Sequence, residues 1–154
     1  MTAVHLDIDV PPALVVDVLE PGAQSRDGAI AAVIGQALQL DTEGLESYFF
    51  ADWDAALVDL LVVAAAAEYC DFVQRRPQYS WTRRFDLRVS VHDPARWSDP
   101  GLKAALEDAL SFLTGDVWRF SFVARTKAVP RTQTTLDLAA DVKTIMPYSD
   151  GLDS

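Results

Sequence analysis

Arg84-Phe85-Asp86-Leu87-Arg88-Val89-Ser90-Val91 alternates strictly, with Phe85, Leu87, Val89 and Val91 on one side and Asp86, Arg88, Ser90 and then His92 on the other. A period of two is the mark of a half-buried strand. Asp99-Pro100 follows, a capping carboxylate before a proline at the first helical position. Leu102, Leu106, Ala109, Leu110 and Leu113 then recur at helical spacing, and Gly115 stands where a helix C-cap needs positive φ. Beyond it Trp118, Phe120 and Phe122 alternate with Arg119 and Ser121, a second strand. Residues 84–124 therefore predict a strand, a helix and a strand, a βαβ unit whose crossover is right-handed.

Upstream, Asp52 to Arg76 predicts a long helix. Asp52 or Asp54 caps it, Arg75 and Arg76 lie at its negative end, and Pro77 stops it. Leu57, Val58, Leu60, Leu61, Val62 and Val63 cover nearly every face, which predicts burial on several sides. Ala64 to Ala67 allow a neighbouring element to approach closely. Val4, Leu6, Ile8 and Val10 alternate with His5, Asp7 and Asp9 up to Pro11-Pro12, and Leu14 to Leu19 is a β-branched run closed by Glu20-Pro21-Gly22. These two read as neighbouring strands. Ala29 to Leu40 reads as a short helix or as a strand followed by a turn. The fold class expected is α+β: a mixed sheet with the 52–76 helix on one face, the 100–114 helix beside it and the βαβ unit.

The chain has 154 residues, half of them apolar and 23% charged, the balance of a domain that buries a core. A formal net charge of -10 opposes non-specific binding to nucleic acid or anionic membrane. Cys70 is the single cysteine and has no partner for an internal disulfide, which suits a reducing compartment. The first residues lack the basic and apolar regions of a signal peptide, and the run Leu60 to Ala67 is too short to span a bilayer, so a cytoplasmic location is expected.

Residues 125–140 are polar and carry Pro130, Thr132, Thr134 and Thr135, and read as a linker. Val142 to Tyr148 is a short apolar strand that runs into Ser149-Asp150-Gly151-Leu152-Asp153-Ser154. A strand feeding a loop of small, hydroxyl-bearing residues is how phosphate sites are built. The hexapeptide resembles the PP-loop signature of N-type ATP pyrophosphatases, Ser-Gly-Gly-x-Asp-Ser, at Ser149, Gly151, Asp153 and Ser154. Trp81-Thr82-Arg83-Arg84-Phe85, Val89 to Pro94, Trp97 and Ala109 to Trp118 are similar to the N-terminal region of QueC-like proteins, relatives of 7-cyano-7-deazaguanine synthase that include a type found in anti-phage defence operons. The resemblance covers roughly residues 52–154.

It implies residues 1–124 as an N-terminal accessory domain, 125–140 as a linker and 141–154 as the start of a PP-loop ATP-binding domain, so the chain is expected to be the front part of a larger enzyme. In such enzymes ATP adenylates a deazaguanine carboxylate and ammonia displaces AMP. By resemblance Ser149, Gly151, Asp153 and Ser154 hold the ATP phosphates with Mg, and zinc belongs to a cysteine-rich region late in the parent protein, which Cys70 alone does not supply. A deazaguanine-type small molecule and a protein amine are both acceptors compatible with the resemblance, and an operon-encoded protein is a partner it allows. Asp150 stands where the family has glycine, and a carboxylate there repels a polyphosphate. This departure keeps a second reading open: a non-catalytic protein-binding module with a vestigial loop, whose docking patch lies around the 52–76 helix.

Other candidates have plainer readings beside the sharper ones. His5, Asp7 and Asp9 converge on one strand face as metal ligands or as solvated side chains. Asp54, Glu68 and Asp71 are paired carboxylates or the solvated stripe of the long helix. Cys70 reads as a core residue, and Trp81, Trp97 and Trp118 as core aromatics rather than base-stacking platforms. Arg83, Arg84 and Arg88 read as strand-surface charges, or as groups that meet phosphate or an acidic partner.

Overall fold

A computed structural model describes residues 12–40, 54–76 and 82–127. Four strands form one sheet: β1 (Leu14–Leu19), β2 (Ile30–Val33), β3 (Arg84–Val91) and β4 (Val117–Ala124). Three helices accompany them: α1 (Ala55–Val73), the single turn α2 (Pro94–Trp97) and α3 (Pro100–Thr114). The strand order is β2-β1-β3-β4, and each pair is parallel. The α+β class and the βαβ unit over 84–124 are those expected. The described sheet is parallel throughout, where a mixed one was expected. The strand expected over residues 4–10 and its pairing lie outside the described residues, as do Asp52, Trp81 and most of the linker.

Register sorts the side chains into two faces. Val16 pairs with Leu87 and Ile30, and Leu87 with Phe120, so these residues share a side. That side is the core: Val16, Val18, Ala32, Phe85, Leu87, Val89, Val91, Trp118 and Phe120 are buried with Val62, Val63, Ala66 and Cys70 of α1. Leu106 and Leu110 of α3 pack against the same cluster, so both long helices lie on one side of the sheet. Phe85 and Trp118 stack at 4.4 Å between ring centroids, fixing the β3–β4 register from inside.

The other face carries Asp17 on β1, Arg84, Asp86, Arg88 and Ser90 on β3, and Arg119 and Ser121 on β4. The β1–β2 connection crosses this face, since Arg26 N–H donates to Asp17 at 2.6 Å. Its direction along the sheet is opposite to the other two crossovers, so the right-handed rule sends it to the opposite side. It turns at Glu20-Pro21-Gly22-Ala23, with Pro21 presetting φ, Gly22 at φ 91° and Ala23 N–H donating to the Glu20 carbonyl at 3.1 Å. Residues 29–40 resolve as the strand and turn of the two readings.

α1 starts at Ala55, with Asp54 accepting from Leu57 N–H at 2.8 Å, and ends at Val73 rather than at Arg76. It is not buried all round. Only Val58, Asp59, Val62, Val63, Ala66 and Cys70 are sealed, because the sheet covers one side alone. α3 is capped by Asp99 and closed by Gly115 at φ 72°, as expected, yet Leu102 and Leu113 of its stripe are exposed. Among the described residues no helix is long and apolar enough to cross a membrane.

Candidate functional site

In an open parallel sheet the place for a ligand is the crevice beyond the carboxyl ends of two neighbouring strands whose connections leave in opposite directions. Here those strands are β1, which leads to β2, and β3, which leads to β4. Glu20 follows β1 and His92 follows β3. The chain after β4 turns back across this edge. Glu20 accepts from Thr126 N–H at 2.9 Å, from the Thr126 hydroxyl at 2.7 Å and from Lys127 N–H at 2.7 Å. Burial pushes the Glu20 carboxyl up, but the Thr126 and Lys127 hydrogen bonds and the Arg125 charge outweigh it and hold the group below its ordinary value.

His92 sits in the same place. Its Nδ1 lies 2.6 Å from Asp59 Oδ1, and its Nε2 lies 3.1 Å from the Lys127 carbonyl, so each ring nitrogen meets an acceptor. Asp59 is fully buried on α1 and also accepts from His92 N–H and, at 3.2 Å, from Trp97 Nε1. The His–Asp pair has the composition of a general-base unit. Its geometry is that of a clamp, since Nε2 faces backbone of residue 127. The crevice at the switch point is thus occupied by the protein's own residues 125–127. These residues are tied to the sheet rather than free linker, as Arg125 N–H also donates to the Val91 carbonyl at 2.7 Å.

The opposite edge holds a second ionic centre. Arg83, 2% exposed, donates to Asp116 through Nη2 at 2.6 Å and through its backbone N–H at 2.8 Å. It also reaches Asp71 at 2.6 Å and the Gln74 carbonyl at 2.6 Å. Arg83 is therefore a buried tie, not a strand-surface charge or a free phosphate ligand. Asp71 belongs to this tie instead of to a carboxylate pair. Arg76 Nη2 meets the Thr114 carbonyl at 2.8 Å, so the cation expected at the end of α1 serves the C-terminus of α3. Arg88 reaches Asp17 at 2.6 Å on the polar sheet face.

What remains open is the outer side of the helix layer. Leu57 is 44% exposed and Leu60 49% exposed on α1; Phe72 is 84% exposed near its end, and Phe112 is 90% and Leu113 75% exposed near the end of α3. The Arg76–Thr114 bond and the Arg83–Asp71 and Arg83–Asp116 ties hold these two helix ends at one edge of the sheet. Cys70 is buried, and burial, offset in part by the Arg83 charge, pushes its thiol up to about 12, as fits a core residue. Trp97 and Trp118 are core aromatics.

Ser149, Gly151, Asp153 and Ser154, with Asp150, and the metal candidates His5, Asp7 and Asp9 lie outside the described residues. Among the described residues no group of three or more His, Cys, Asp or Glu is placed to hold a metal ion. Sequence reasoning missed Asp17, Glu20, Asp59 and Asp116. Two of them carry a readable signal: Asp17 interrupts Val15-Val16 and Val18-Leu19, and Asp59 is the lone charge between Leu57 and Ala67. An acid inside such a run has to be paired if the run is buried. No family model, no curated protein and no solved structure matches the chain.

Proposed function

We propose that the chain is the N-terminal accessory domain of a QueC-like, ATP-dependent enzyme, and that its helix layer seats against the nucleotide-binding domain expected to open near residue 141. The observation that carries this reading is the outer surface of α1 and α3, where Leu57, Leu60, Phe72, Phe112 and Leu113 remain exposed. Exposed apolar side chains on both long helices of one layer fit a surface that another folded body covers. The occupied switch point supports the same assignment. Residues 125–127 are held across it, which is consistent with a domain whose nucleotide chemistry is carried elsewhere, by the loop Ser149, Gly151, Asp153 and Ser154. In the parent protein that loop holds ATP, and the enzyme adenylates a deazaguanine carboxylate, in the setting of anti-phage defence for the type it resembles.

The second reading, a non-catalytic module that docks a separate protein on the same helix surface, is favoured by Asp150, whose carboxylate opposes a polyphosphate. AMP release by the native gene product, supplied with ATP and a deazaguanine carboxylic acid, separates the two. The enzyme reading expects release that depends on the acid, is abolished by Asp153→Ala and is raised by Asp150→Gly. No ATP binding by either the native protein or Asp150→Gly contradicts it and selects the docking module.

A further inference from the structure

Parallel sheets are ordinarily covered on both faces, and their strands read as continuous apolar runs. This sheet departs from that pattern. Strands β3 and β4 alternate, and no described helix lies on the face that carries Asp17, Asp86, Arg84, Arg88 and Arg119. The connection 20–29 covers only the β1 side, where Arg26 and Arg88 close on Asp17 at 2.8 and 2.6 Å and Arg26 reaches Asp86 at 3.0 Å. Both carboxylates of the face are thereby engaged.

Arg84 and Arg119 are left over. Both are exposed, and neither has an ion-pair partner among the described residues. Register pairs Arg84 with Val117 and Asp86 with Arg119, so the two arginines are diagonal neighbours on β3 and β4, within reach of one bound group. With Asp27 of the same connection counted, four guanidinium groups gather against three carboxylates in a chain whose net charge is -10. Apart from packing, nothing in the alternation of β3 and β4 requires arginine rather than any other polar residue at these positions.

We propose that this open sheet face is a docking surface for an acidic polypeptide segment, read by Arg84 and Arg119. The charge balance selects the partner class. A long nucleic acid extends beyond the arginine face and meets the negative field of the rest of the molecule, whereas a short run of Asp and Glu is matched by the arginine pair alone. Arginine also suits the task, because its planar fork engages a carboxylate with two parallel hydrogen bonds. The surface lies on the side of the sheet opposite the helix layer, so it is independent of the docking surface assigned above.

The test is fluorescence anisotropy with a short fluorescein-labelled poly-glutamate peptide at low and high salt, with a labelled oligouridylate of equal charge as the comparison. The wild-type chain binds the peptide, and more weakly as salt rises. Arg84→Glu and Arg119→Glu each weaken binding by roughly tenfold. Arg75→Glu, which changes the net charge equally but lies beyond the end of α1, leaves binding unchanged. Circular dichroism of each variant confirms that it is folded. Three results overturn the proposal: no binding of the peptide at low salt, equal weakening by Arg75→Glu and Arg119→Glu, or tighter binding of the oligouridylate than of the peptide.

Discussion

Arg83 Nη2 lies 2.6 Å from Asp116 Oδ2, and both side chains are sealed from solvent. The pair joins the residue before β3 to the turn between α3 and β4, and Asp71 and Gln74 bring the end of α1 to the same guanidinium. Three elements meet at one charge. Removing one partner of a buried pair leaves the other uncompensated, which costs about 3–5 kcal/mol. Asp116→Ala is expected to destabilise by about that amount in urea unfolding. Replacing both members with apolar residues, Arg83→Met with Asp116→Leu, is expected to be less destabilising than Asp116→Ala alone. Additive losses in the double variant contradict the pairing.

Glu20 does the corresponding work at the other edge, where it holds residues 126 and 127 across the ends of β1 and β3. Glu20→Ala removes three hydrogen bonds, one of them to a hydroxyl, at an expected cost of about 1–3 kcal/mol. Amide exchange gives a local readout. Thr126 and Lys127 are expected to exchange faster in the variant, while the core strand β3 keeps its protection relative to global stability. Unchanged exchange at 126 and 127 contradicts the tie.

Acid dependence follows from three carboxylates. In Asp17, Glu20 and Asp116 burial pushes the group up. Hydrogen bonds and charges from Arg26 and Arg88, from Thr126, Lys127 and Arg125, and from Arg83 and Arg76 respectively outweigh it and leave each below its ordinary value of 3.8, 4.5 and 3.8. A carboxylate depressed in the folded state binds fewer protons there than in the unfolded chain. Its contribution is therefore complete above the ordinary value and is lost as pH falls through the lower, folded one. The urea midpoint is expected to be level with respect to these groups above about pH 6 and to fall steadily below about pH 4.5. A midpoint that rises on acidification through that window contradicts the assignment.

The fold was legible where pattern and packing agree. Alternation in β3 and β4, the Asp99-Pro100 start and the Gly115 stop all belong to local chemistry, and each stands in the structure as read. The outer side of α1 was not legible, because an apolar residue left on the surface and one facing a core are the same letter. Leu60 and Val62 illustrate it: one is 49% exposed and the other fully buried, two positions apart. The buried carboxylates were missed for a related reason. Asp17 and Asp116 are paired with Arg26, Arg83 and Arg88 through tertiary contacts that no spacing in the chain announces, up to 71 positions apart. Cys70 was legible, since a small thiol among alanines and valines on a helix has little to do other than pack.

In the proposed function the helix layer is covered by another domain. Hydroxyl-radical footprinting of the native gene product, compared with the 154-residue polypeptide alone, measures it directly at Phe72, Phe112 and Leu113, which are 84%, 90% and 75% exposed here. The account predicts strong oxidation of these side chains in the isolated polypeptide and protection in the native product, with exposed residues off the helix layer, such as Arg119, unaffected. Equal oxidation of Phe72 and Phe112 in both would show that nothing covers this surface, and would contradict the account.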